Sequence, residues 1–131
     1  MGFRIVDFSS VQYPDGMPAV RQGKFVHLVE GVEEELLVLS PYEQSVFHAQ
    51  ILERYCMLKG VEGRFIRKPE LYEVIGAGIE IIGGGHWKLN ETEFSLVLFG
   101  ESTIYGGFRM EGLQSKVQVL PGYEKYKILI K

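Results

Sequence analysis

KFVHLVEGVEEELLVL, residues 24–39, is the stretch that decides the fold class. Two apolar runs, Lys24 to Val29 and Glu35 to Leu39, flank a short connection from Glu30 to Glu34, and this arrangement reads as two paired strands joined by a hairpin. The period then changes. In SPYEQSVFHAQILERYCMLKG, residues 40–60, Phe47, Ile51, Tyr55 and Leu58 recur at spacings of four, four and three, the stripe of a helix from Val46 to Lys59. Gly60 ends it. Two starts compete: Ser40-Pro41-Tyr42-Glu43 has an N-cap serine, proline at N1 and glutamate at N3, whereas Ser45 offers a later cap. The expectation is a start near Ser45, which places His48 in the first turn and leaves the amides of His48 and Ala49 free.

Upstream, Tyr13-Pro14-Asp15-Gly16 is a turn that separates a first strand around Phe3 to Phe8. Downstream, Ala77 to Ile82 and Glu93 to Phe99 are rich in β-branched and aromatic residues and read as buried strands, the first closed by Gly83-Gly84-Gly85. Met110, Leu113, Val117 and Leu120 follow helical spacing up to the stop at Pro121-Gly122, and Tyr123 to Lys131 reads as a last strand. The expected fold is α/β, of the α+β kind: a single mixed sheet of about six strands with two main helices packed on it. A chain of 131 residues with 46% apolar content is the size of one domain, 1–131.

The net charge of −3 gives no long-range attraction for nucleic acid or an anionic membrane. Apolar runs such as Phe94 to Phe99 are too short to span a bilayer, the start has no signal-peptide core, and Met1-Gly2 fails the myristoylation pattern because position 6 is Val. A cytoplasmic protein with no nucleic-acid or membrane partner is expected. Cys56 stands alone, so no intrachain disulfide can form.

Several phosphatase chemistries are excluded by residues that are missing. Glu62 stands six positions after Cys56, where a cysteine phosphatase needs its arginine, so Cys56 reads as a core thiol. The two aspartates, Asp7 and Asp15, are confined to the start, which removes a paired-aspartate nucleophile and makes a two-metal site hard to build. No Arg-His-Gly triplet occurs, and Gly76, Gly78 and Gly83 fit neither a P-loop nor a dinucleotide fingerprint. The three histidines, His27, His48 and His86, fall on separate elements. No metal site and no cofactor are expected.

In order along the chain stand Phe47-His48-Ala49, Gly83-Gly84-Gly85-His86 and Gly100-Glu101-Ser102-Thr103-Ile104-Tyr105-Gly106, with Lys24-Phe25-Val26 before them and Pro121-Gly122-Tyr123 after. This ordered set resembles the Janus/Ocnus phosphohistidine phosphatase family, which carries an aromatic-His-Ala step, a Gly-Gly-Gly-Arg strand end, a Gly-x-Ser-x-x-Tyr-Gly loop, an early Lys-Tyr-Val and a late Pro-Asp-Tyr. The likeness covers residues 23–131. It implies a hydrolase that removes phosphate from phosphohistidine, and by extension phospholysine, on a phosphorylated protein or peptide. It implies His48 as the catalytic residue, with phosphate held by Lys24, Ala49, Ser102, Thr103 and Ile104. Tyr105 would wall the pocket, and His86 would stand in for the family's arginine.

The chemistry of these residues supports the same set. Phosphoryl transfer needs positioned donors and positive charge around three oxygens more than covalent machinery. A helix N-terminus and a glycine-flanked loop supply free N–H groups, and the helix dipole favours a neutral imidazole. Direct attack by His48 and general-base action are both compatible with this. A non-catalytic phosphate-binding or interaction module on the same loop is the alternative. Taken singly, His48 is an ordinary helix histidine, His86 a strand-end histidine, Lys24 a solvated charge, and Trp87 and Tyr105 packing residues, while His27 packs on a strand. Ser40, like His86, stands where the family can carry a basic residue. The segment Glu62 to Val74, with Arg64, Arg67 and Lys68, is extra relative to the family. It reads as a solvated loop or helix extension, or as a surface that selects a protein partner.

Overall fold

The computed structural model describes residues 2–32, 34–76 and 78–131. Met1, Glu33 of the expected hairpin connection and Ala77 at the head of an expected strand lie outside them. The elements are β1 Gly2–Asp7, α1 Ser9–Gln12, β2 Val20–Glu30, β3 Glu34–Pro41, α2 His48–Lys59, β4 Gly63–Arg67, β5 Leu71–Val74, β6 Ile79–Asn90, β7 Ser95–Phe99, α3 Leu113–Gln118 and β8 Lys127–Ile130. Six strands form one mixed sheet in the order β1-β3-β2-β6-β7-β8, and β4 and β5 form a separate hairpin.

Alternation along the strands builds two cores. On β3, Leu36 and Val38 face one side with Val26, Leu28 and the α2 residues Ile51, Leu52 and Tyr55. Leu37 and Leu39 face the other side, with Trp87, Leu96, Leu98, Ile128 and the α3 residues Leu113 and Val117. The successive side chains of a strand point to opposite faces, so a run of buried leucines serves both layers. The two main helices therefore cover opposite faces. Within the α3 layer, His27 donates from Nε2 to Glu35 at 2.7 Å, and its Nδ1 accepts the Arg109 N–H at 3.3 Å. Lys116 holds the other Glu35 oxygen at 2.7 Å, which ties α3 to β2 and β3.

The expected hairpin is present, with Glu30 opposite Glu34, and both strands extend beyond the sequence-based ranges. Four expectations are corrected. Gly83-Gly84-Gly85 does not close a strand: it lies inside β6 and pairs with His27, Val26 and Phe25 of β2. The segment Glu62 to Val74 is neither a loop nor a helix extension but the β4–β5 hairpin, with Phe65 packed edge-on against Tyr72 at 5.0 Å. The second helix is shorter than its apolar spacing suggests, because Gly112 is left-handed at φ 72° and Met110 lies exposed ahead of it. The last strand begins at Lys127, after turns that take up Tyr123 to Tyr126. No helix among the described residues is long and apolar enough to cross a membrane.

Candidate active site

Helix α2 begins at His48, three residues later than Ser45 and well after Pro41. Phe47 is the extended N-cap residue, and it has no side-chain acceptor to cap with. The Gln50 side chain takes over: its Oε1 accepts the Val46 and Phe47 N–H groups at 2.8 and 3.0 Å. Ser45 turns inward instead and bonds Ser40 Oγ at 2.9 Å. At the far end Gly60 closes the helix at φ 68°, as its sequence position suggests. The buried face is His48, Ala49, Ile51, Leu52, Tyr55 and Cys56, whereas Leu58 of the expected stripe is exposed.

The start of α2 sets His48 against the middle of β6. Its Nε2 donates to the Gly85 carbonyl at 2.9 Å, so Nδ1 carries the lone pair of the neutral ring. Burial, aided by Lys24 and His86 and opposed by the Gly85 carbonyl, lowers the His48 pKa to about 4. His86, on β6 opposite Lys24 of β2, meets His48 edge-on at 5.9 Å and stacks on Phe99 at 5.6 Å. Its Nδ1 lies 2.7 Å from the Tyr42 hydroxyl. Burial and Lys24 push its pKa down as well. Lys24 has its own pKa lowered by burial, and its ammonium donates to the Val46 carbonyl.

The loop after β7 closes the other side. Ser102 and Gly106 exchange N–H···O bonds at 3.2 and 2.9 Å, and Ser102 Oγ accepts the Tyr105 N–H at 3.0 Å. The Ser102 amide is thus occupied, and its hydroxyl proton is the donor it can still offer. The amides of Thr103 and Ile104, at the exposed tip of this turn, donate to no protein acceptor among the described residues.

Lys24, Phe47, His48, Glu70, His86, Glu101, Ser102, Thr103 and Ile104 line one cleft of about 430 Å³. Six of the eight residues named from the sequence for catalysis or phosphate contact converge there. Ala49 and Tyr105 do not. Ala49, the second residue of α2, is fully buried. The Tyr105 hydroxyl turns to the hairpin, accepting the Tyr72 N–H and donating to the Tyr72 carbonyl, both at 2.8 Å. Glu70 and Glu101 were not among the expected contacts. Glu70 reaches the cleft from the β4–β5 turn and pairs with Arg67 at 2.7 Å. No local pattern announces it, because only the folding of the hairpin brings it to the cleft. Among the described residues no three His, Cys, Asp or Glu side chains cluster as metal ligands would.

Among the described residues, the cleft presents the anchored imidazole of His48 with His86 beside it, one ammonium, the Ser102 and Thr103 hydroxyls and two amides around a space large enough for a phosphoryl group, with two carboxylates at its walls. Compared with known proteins, the chain matches no family model and no curated protein.

Proposed function

We propose that the protein is a metal-independent phosphatase acting on phosphohistidine, and on phospholysine as a second phosphoramidate, in proteins. The observation that carries this reading is the anchored neutral state of His48, with Nε2 committed to Gly85 and Nδ1 left for chemistry beside Lys24 and the 102–104 turn. A lone pair on an imidazole of pKa about 4 is available across the physiological range. So low a pKa makes a weak proton acceptor toward water, whereas the loose transition state of phosphoryl transfer asks little bond formation of its nucleophile, and together these favour direct attack over general-base action. In the direct route the Nδ1–P bond forms as the substrate N–P bond breaks, and the departing imidazole takes a proton from solvent. Water then attacks phosphorus, releasing phosphate and the free His48 ring. Lys24, the Ser102 hydroxyl and the Thr103 and Ile104 amides are placed to take up charge on the phosphoryl oxygens.

One observation favours a second reading, a phosphate-binding module without turnover. Both cleft histidines have lowered pKa values and Lys24 shares its cleft with Glu70 and Glu101, so positive charge is scarce. Dephosphorylation of a phosphohistidine peptide by the wild type and by His48→Ala tests both. Turnover that vanishes in a folded His48→Ala supports the phosphatase. Phosphopeptide binding with no turnover in the wild type supports the module.

A further inference from the structure

The sheet face that carries the cleft continues past it uncovered. Helix α2 packs over β2 and β3, and α3 lies on the opposite face, against β8 and β1. The register sets Lys24 beside His86 and His86 beside Phe99, and Lys131 continues the ladder through its N–H to the Leu98 carbonyl. In the next row Lys88 lies beside Val97 and Leu129, and further on Ser95 lies beside Lys127. Residues in register share a face, so Lys88, Lys127 and Lys131 stand on the same side as Lys24 and His86. A second hollow of about 570 Å³ opens there, lined by Lys88, Val97, Phe99, Gly100 and Lys131. Phe99 joins the two spaces, because its ring lies in the hollow and stacks on the cleft residue His86.

Lys88, Lys127 and Lys131 make no ion pair among the described residues, and the strand positions on this part of the face hold no carboxylate. In a chain whose net charge is −3, this is a local inversion of sign. Glu101, just past β7, marks its boundary on the loop side. We propose that this basic face, with its apolar strip of Val97, Phe99 and Leu129, docks an acidic polypeptide segment adjoining the phosphorylated residue. The inference rests on the phosphatase reading for the word phosphorylated and not for the docking. Crossing from Lys24 to β8 takes three strand spacings, about 14 Å, which an extended peptide covers in about four residues. The acidic side chains therefore belong within about four positions of the modified residue, and on one side of it, since Glu70 and Glu101 stand on the others.

The test uses the intact protein and binding rather than turnover, so it does not depend on catalysis. A fluorescently labelled, unphosphorylated peptide carrying four consecutive glutamates should bind, more weakly as salt rises, and its lysine counterpart should not. Lys88→Glu/Lys127→Glu should weaken that binding about tenfold or more, whereas Lys59→Glu/Arg64→Glu, with the same change in net charge at the end of α2 and on the β4–β5 hairpin, should not. An equal loss in both variants, or none in either, would overturn the proposal. So would tighter binding of a single-stranded oligonucleotide through the same two lysines. Persisting peptide binding in a protein that hydrolyses no phosphohistidine would leave this face standing while the phosphatase reading fell.

Discussion

Gly84 and His48 lie in direct contact: a Cβ at position 84 would come within 2.7 Å of His48 Cδ2 and 2.8 Å of the Phe25 carbonyl oxygen. The imidazole can rest against β6, and reach the Gly85 carbonyl, because the strand has no side chain there. Gly84→Ala should displace the ring and lose its hydrogen bond. The expected result is a loss of turnover of tenfold or more with about 1–3 kcal/mol of destabilisation, the usual penalty for overpacking. Urea unfolding and phosphohistidine hydrolysis measured on the same preparation check it. An alanine variant with wild-type activity would mean that His48 does not need this seat.

The low pKa of His48 makes a statement about acid stability. The folded value is about 4, against 6.5 for an ordinary imidazole, with burial as the main cause. Between these values the unfolded chain binds a proton that the folded chain refuses, so stability is fully present above about pH 6.5 and is lost as pH falls toward 4. The shift corresponds to about 3 kcal/mol at most. His27 and His86 shift in the same direction and add to the loss. Urea midpoints at pH 7.5, 5.5 and 4.5 should fall steeply in the wild type and less steeply in His48→Gln. Background-corrected turnover should show no acid limb near pH 6.5 arising from His48; a limb there would assign the ring an ordinary pKa.

The strands and helix around the site were legible because local periods announced them. Phe25 to Val29 and Glu35 to Leu39 carry the apolar runs of a two-sided strand pair, and Ile51 and Tyr55 lie on the buried face of α2. The triple glycine misled for a physical reason. Glycine usually marks a turn, but here each one answers a distant neighbour: the Gly107 carbonyl at position 83, His48 at 84, and the Phe99 carbonyl with the Phe108 and Phe25 rings at 85. Such crowding has no local trace. The β4–β5 hairpin was hidden likewise, since apolar Ile66 takes an exposed position beside Arg64 and Arg67 and the hydropathy of the strand does not follow its burial. Glu70 was hidden with it.

Lys24 is the one ammonium in the cleft among the described residues, so its removal should be felt by phosphate more than by the fold. Lys24→Ala should raise KM and lower kcat for a phosphohistidine peptide together, by about tenfold or more in kcat/KM. A chelator should leave the wild-type rate unchanged. His86→Arg exchanges a neutral ring for a fixed cation, and should preserve or raise activity despite losing the Tyr42 contact. Activity that disappears with chelator and returns with a divalent ion would redirect attention to Glu70 and Glu101, the two carboxylates at the cleft walls, as ligands.

Tyr105 separates a pocket wall from a strap. Its hydroxyl both accepts from and donates to the Tyr72 backbone, so one oxygen joins the 102–106 turn to β5. Burial raises its pKa despite the hydrogen bond to Tyr72, so the hydroxyl stays protonated and both bonds hold at physiological pH. Tyr105→Phe removes the two bonds and leaves the Tyr72 N–H and carbonyl without that partner, which should cost about 1–3 kcal/mol. The loss should be local. Amide hydrogen exchange should quicken in Leu71–Val74 and in the turn around Ser102, and stay unchanged in β2 and β3. Because the same hairpin carries Glu70 to the cleft, KM for a peptide should change while His48 keeps its Gly85 contact and kcat changes little. Exchange that quickens uniformly would show that Tyr105 supports the whole fold, and unchanged exchange in Leu71–Val74 would show that the strap holds nothing.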